Sequence, residues 1–152
     1  GETPWRTFAE LLLWVGWHPE EHFVELGSGT SRLSVLLAAC GAKNCTAVEL
    51  LPPFVSRAQK VVQRCGLDNV NIVEANMLDI SWSNADVIYL TATAFDESMM
   101  AEIAAKCDEL KPGATVISLT QVPDTIALEL VDQRFCQFAW GLATVFWCRK
   151  IA

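Results

Sequence analysis

The sequence predicts an α/β domain in which a mostly parallel β-sheet carries helices on both faces and closes with an antiparallel hairpin at its C-terminal end. Three observations lead there. Short apolar runs alternate with stripes of helical period along most of the chain. Glycines and prolines punctuate the changes from one to the other. The last two apolar runs are joined by too short a connection for a parallel crossover, which needs roughly a dozen residues.

The elements follow in order. WRTFAELLLWVGW near the N-terminus reads as an amphipathic helix of the mature fold; Glu10 interrupts its apolar run and no basic segment precedes it, unlike a signal-peptide core. HFVEL (22–26) is a buried strand, and SRLSVLLAACG (31–41) is a helix with Leu33, Leu36, Leu37 and Cys40 on one stripe and Gly41 closing it. CTAVEL (45–50) is a second strand. Pro52 and Pro53 suit the first turn of the next helix, which ends at Gly66. VNIVEA (70–75) and ADVIYLT (85–91) are strands, AFDESMMAEIAAKCDELK (94–111) is a helix, and PGATVISLT (112–120) leads into a fifth strand. PDTIALELVDQ (123–133) reads as a short helix. RFCQFAWGLATVFWCRK (134–150) reads as two strands turning at Trp140-Gly141-Leu142. With 152 residues, no repeat and no linker, residues 1–152 are expected to form one domain.

Composition narrows the function. The 52% hydrophobic content is spread along the chain and builds no run near the roughly 18 apolar residues that span a bilayer, so no membrane partner is expected. A net charge of −7 lacks the basic footprint of a nucleic-acid binder and is compatible with a basic protein substrate or simply with solubility. Six cysteines without a C-x-x-C pair, four of them in apolar runs, suggest free thiols in a reducing intracellular compartment, cytoplasmic or nuclear. His18 and His22 have no partner at ligand spacing, so they are expected to be exposed loop residues, and no metal site is expected. Met99 and Met100 read as helix surface and core, and Phe135, Phe138, Trp140, Phe146 and Trp147 as sheet core or as part of a substrate cage.

The chemistry centres on FVELGSGTSR (23–32). In an open α/β sheet, ligands bind beyond the carboxyl ends of the strands, and Gly27 and Gly29 form the first such turn, where backbone N–H groups can approach a ligand. Arg32 stands where the dinucleotide fingerprint needs its third glycine, which weakens a nicotinamide or flavin cofactor, and no Gly-Lys-Ser/Thr of a Walker loop follows. Glu49 ends the second strand at the spacing of an acid that accepts hydrogen bonds from ribose hydroxyls. Glu25, two residues before the first glycine, would repel a pyrophosphate but suits a cofactor with an ammonium and a sulfonium, as in S-adenosylmethionine. Either carboxylate alone would read as a solvated strand end.

The whole pattern resembles the class I S-adenosylmethionine-dependent methyltransferases, a Rossmann-like fold with a seven-stranded sheet ending in an antiparallel hairpin. ELGSGTS is similar to their first motif, with Ser31 where a third glycine is common, and LKPGATVIS to their fifth strand. Leu51-Pro52-Pro53-Phe54 looks like the Asn/Asp-Pro-Pro-aromatic of some nitrogen-methylating members, but it follows the second strand instead of the fourth.

Within that class the chain resembles the disruptor-of-telomeric-silencing family of histone lysine methyltransferases. Glu2-Thr3 with Trp5 is similar to its cofactor-covering loop, FVELGSG and AVEL to its acidic strand ends, Asn76-Met77-Leu78 to its Asp-Phe-Leu, and Trp140-Gly141 to its C-terminal Ser-Trp. The resemblance implies that Glu2 and Thr3 cover the methionine moiety. It implies that Glu25, Gly27, Gly29, Glu49 and Leu50 hold the cofactor, that Asn76 accepts from the adenine amine, and that Met77 packs on the ring. It implies an acceptor channel at Thr91, Phe95 and Trp140, with Tyr89 a further candidate, and a protein substrate with an accessible lysine. S-adenosylhomocysteine would be the product. The family's paired asparagines are Thr91 and Ala92 here, its adenine aspartate is Asn76, and its basic nucleosome-binding extension is missing. A small-molecule methyltransferase and a non-catalytic cofactor-binding partner subunit are the alternatives.

Overall fold

The computed structural model describes residues 2–152. Seven strands form one sheet: β1 (His22–Leu26), β2 (Asn44–Glu49), β3 (Val70–Glu74), β4 (Val87–Thr91), β5 (Thr115–Leu119), β6 (Leu128–Phe138) and β7 (Gly141–Lys150). Their order across the sheet is β3-β2-β1-β4-β5-β7-β6. β3 through β5 are parallel neighbours, and β7 pairs antiparallel with both β5 and β6. The winding reverses at β1, whose two neighbours are β2 and β4, so a crevice opens beyond their carboxyl ends.

Four helices cover the faces: α1 (Trp5–Val15), α2 (Arg32–Ala39), α3 (Pro52–Cys65) and α4 (Glu97–Lys106). Phe8, Leu11 and Leu12 of α1 and Leu33 and Leu37 of α2 pack with Phe23, Tyr89 and Ile117 on one face. On the other, Ile103 of α4 joins Trp82, Ile88, Leu90 and Val116. Pro52 and Pro53 begin α3, and Gly66 ends it at φ +62°, a left-handed cap open to glycine without strain. None of these helices is long and apolar enough to cross a membrane.

Two expectations need correction. Residues 123–133 are not helical: the chain is irregular before Leu128, and β6 then runs to Phe138 against β7. Side chains change phase at an irregularity between Leu130 and Asp132, which hides the strand alternation from a reading of the sequence, and the ladder to β7 outweighs a weak helix preference. His22 is half-buried at the head of β1, with Nε2 2.7 Å from Thr46 Oγ1 and Nδ1 3.0 Å from the Asn84 carbonyl, so it ties three segments together. His18 is exposed as expected. The six cysteines are unpaired, and burial pushes the Cys45 and Cys107 thiols up to about 12.

Candidate functional site

The carboxyl ends of β1, β2 and β4 bring most of the expected residues together. Gly27 and Gly29 have φ of +71° and +57°, and Ser31, a non-glycine, has φ +60°. The N–H groups of the turn do not point at a ligand as expected. Those of Gly27 and Ser28 donate to the Val48 carbonyl, both at 2.9 Å, and that of Gly29 donates to Glu49 Oε2 at 2.6 Å. What Gly27 contributes is its left-handed backbone, which a side chain would strain; a Cβ there would make only ordinary contact, 3.4 Å, with Met77 Cε.

Two cavities meet at this turn, and Gly27 and Thr91 line both. The first, about 110 Å³, is bounded by Glu2, Thr3, Glu25, Ser28–Thr30, Arg32 and Leu33. The second, about 440 Å³, is bounded by Glu49, Leu50, Ala75–Met77, Phe95 and Met99. Together they form a trough from β4 to β3.

Carboxylates dominate its charge. Burial pushes Glu25 up from 4.5 to about 7; hydrogen bonds from Ser34 Oγ (2.6 Å) and Ser34 N–H (3.3 Å) work against this, and the charges of Glu49 and Glu2 add to it. Glu49 is nearly buried and accepts three backbone N–H groups, from Gly29, Leu50 and Leu51, the last two on Oε1 at 2.9 and 3.0 Å. A carboxylate offers about four lone-pair sites, so one remains for a ligand hydroxyl. A trough with a carboxylate in each of its two cavities and glycine where they meet suits a cationic ligand that also presents hydroxyls.

The N-terminal segment crosses the first cavity. Glu2 accepts from Thr30 Oγ1 at 3.3 Å and lies 3.7 Å from Arg32, while buried Thr3 bonds the Tyr89 hydroxyl at 2.7 Å. Tyr89 is therefore a core residue, packed edge-on against Phe8, and does not line an acceptor channel. Asn76 Oδ1 accepts the Leu78 N–H at 3.0 Å and so caps the short 3-10 turn Met77–Asp79. Phe95 is half-buried against the second cavity. Trp140 stands apart: it stacks on Phe138 at 4.7 Å at the β6–β7 turn and lines neither cavity. Of the other hairpin aromatics, Phe138 is core, whereas Phe135 is 75% exposed.

Several supporting residues escaped the sequence reading. Ser34 holds Glu25 from α2. Trp82 is buried and donates from Nε1 to the Met77 carbonyl at 2.9 Å, fixing the turn beneath the second cavity; a lone tryptophan in the polar stretch 81–84 was its one signal. Met99, expected on the helix surface or in the core, lines that cavity. Gln121 Nε2 donates to the carbonyls of Ala92 (2.7 Å) and Phe95 (2.9 Å), clamping the loop that carries Phe95.

Comparison with known proteins identifies the fold and the family. Over 64 residues the chain is 36% identical to ribosomal protein L11 methyltransferase of Clostridium botulinum, a match covering 42% of this chain and 20% of that protein. Over 59 residues it is 30% identical to protein arginine N-methyltransferase 7 of Gallus gallus, covering 38% and 9%. The chain thus spans a small part of the curated relatives it matches. Among solved structures, an RNA methyltransferase from Salinibacter ruber in complex with S-adenosyl-L-homocysteine superposes with a TM-score of 0.79 at 20% identity, over 99% of this chain and 94% of that one. The seven-stranded sheet and its terminal antiparallel pair are thus those of the Rossmann-like methyltransferase fold. The family profile described as a methyltransferase domain matches residues 23–119, from the head of β1 to the end of β5, and the chain belongs to that family.

Proposed function

We propose that the trough binds S-adenosylmethionine and that the chain directs its methyl group to a protein amine, a lysine side chain in the first instance. The observation that carries this reading is that Glu25 lines the first cavity and Glu49 the second, with Gly27 lining both where they meet. Support for the cofactor also comes from the family match and from the S-adenosyl-L-homocysteine in the Salinibacter ruber structure. Support for a protein acceptor comes from the two curated relatives, both protein methyltransferases by name.

Glu25 would hold the ammonium group, and Glu49 a ribose hydroxyl at its remaining lone-pair site, with Leu50 beside it. Asn76 Oδ1 has one lone pair left after capping Leu78, enough to accept from an adenine amine, and Met77 offers the packing surface. Glu2 and Thr3 cover the first cavity. When bound, the cofactor supplies a sulfonium-linked methyl group open to a nucleophile from the side opposite sulfur, leaving S-adenosylhomocysteine as product.

The protein's own part is alignment, which contributes roughly 7–11 kcal/mol at its limit without a covalent step. A lysine must arrive neutral against an ordinary pKa of about 10.4. The apolar wall formed by Phe95 and Met99 disfavours its charged form by desolvation. Thr91 marks the junction of the two cavities.

Calorimetric titration with S-adenosylmethionine and S-adenosylhomocysteine tests the reading. Saturable binding is expected, followed by labelled methyl groups on lysine when protein extract is added. A well-folded chain that binds neither compound would overturn it. Binding with no turnover on any extract would instead favour the non-catalytic partner subunit.

A further inference from the structure

An acidic chain carries one basic face. The sequence has 18 acidic and 11 basic residues, yet the 8 residues of α2 and 14 of α3 contain Arg32, Arg57, Lys60 and Arg64 and no acid. Arg57, Val61 and Arg64 fall on one face of α3 at i, i+4 and i+7. A crevice of about 400 Å³ lies between the two helices, with Val35, Leu36 and Val61 as apolar lining and Arg32 and Arg57 as its cations. Glu2, Thr30 and Arg32 line this crevice and the first cavity alike, so the two adjoin.

From this arrangement we infer that the α2–α3 crevice is a docking subsite for an acidic segment of the methyl acceptor, gripped by Arg32 and Arg57. The inference rests on the methyl-transfer reading and names the chemistry of its substrate. Arg57 makes no ion pair among the described residues, so the fold does not use its charge. Arg32 has the chain's own Glu2 carboxylate 3.7 Å away, which shows that a carboxylate is accommodated at this point. Guanidinium groups bind carboxylates with two parallel donors, and apolar side chains beneath them strengthen the pairing by displacing water. The crevice is open to solvent, with the Arg32 side chain 50% exposed, so an extended peptide can lie across both helices and continue over the first cavity toward Thr91, where the two cavities meet.

Two labelled peptides of equal length, one lysine flanked by glutamates and one lysine flanked by glutamines, test this by fluorescence anisotropy with protein saturated in S-adenosylhomocysteine. The glutamate peptide is expected to bind at least tenfold tighter, with an advantage that shrinks as salt rises. Arg57→Glu should abolish that preference while leaving the S-adenosylhomocysteine titration and the circular dichroism unchanged. Equal binding of the two peptides, an unaltered preference in Arg57→Glu, or tighter binding of a labelled single-stranded RNA than of the glutamate peptide would overturn the subsite. Failure of the wild type to bind S-adenosylhomocysteine would overturn the methyl-transfer reading instead, and the peptide comparison would then decide the subsite on the free protein.

Discussion

Glu49 at the end of β2 accepts the backbone N–H of Gly29 at 2.6 Å, so the acid expected to meet a ligand also holds the glycine turn in place. Both roles draw on one carboxylate, and substitutions separate them. Glu49→Gln keeps an oxygen for the N–H groups but loses the charge and one acceptor; cofactor affinity is expected to fall at least tenfold with a modest loss of stability. Glu49→Ala strands three N–H donors, each of which costs about 1–3 kcal/mol if it stays buried, so its melting temperature should drop well below that of the Gln variant. Calorimetry and thermal unfolding on the two variants check this; equal affinity of Glu49→Gln and wild type would remove Glu49 from the ligand site.

Glu25 should make stability depend on pH. Its carboxyl is pushed up to about 7 from 4.5, so between those values the folded chain holds a proton that the unfolded chain has released. The contribution is therefore fully present below about pH 4.5 and is lost as pH rises through about 7, amounting to about 3 kcal/mol in all. Urea unfolding at pH 5 and pH 8 should show this decline in wild type and not in Glu25→Gln. An ammonium ligand pairs with the ionised form, so cofactor affinity should rise from pH 6 to pH 8 in wild type and stay flat in the variant.

Phe95 and Gln121 form a testable pair. Phe95→Ala should lower turnover more than cofactor affinity if Phe95, which lines the second cavity, forms the proposed acceptor wall. Gln121→Met removes two donated hydrogen bonds, about 1–2 kcal/mol together, and frees the loop that carries Phe95. Its kcat should fall while the S-adenosylhomocysteine titration stays unchanged. Unaltered turnover in both variants would take this loop out of the acceptor site.

Trp82 supports the Met77 turn of the second cavity from beneath. Trp82→Phe loses the bond to the Met77 carbonyl and leaves that oxygen buried, at a cost of about 1–3 kcal/mol. Met77 then loses its fixed position against Gly27, and cofactor affinity should weaken several-fold although Trp82 itself touches no ligand. A stability loss with unchanged affinity would limit Trp82 to the core.

The sequence by itself determined the alternating frame, its parallel sheet and the positions of Glu25, Gly27, Gly29 and Glu49, because apolar period, glycine turns and strand ends are local signals. Asn76 and Met77, after β3, were picked out by the family resemblance of Asn76-Met77-Leu78. The tertiary structure decided what these residues do for one another. That Glu49 takes the N–H of Gly29, that Thr3 is tied to Tyr89, and that Ser34 of α2 reaches Glu25 of β1 are relations between separate elements. The first half of β6, Leu128 to Gln133, was misread for the same reason: its state is set by pairing with β7, not by the preference of its own residues. The crevice likewise exists only because α2 and α3 lie side by side and bring together Arg32 and Arg57, 25 positions apart along the chain.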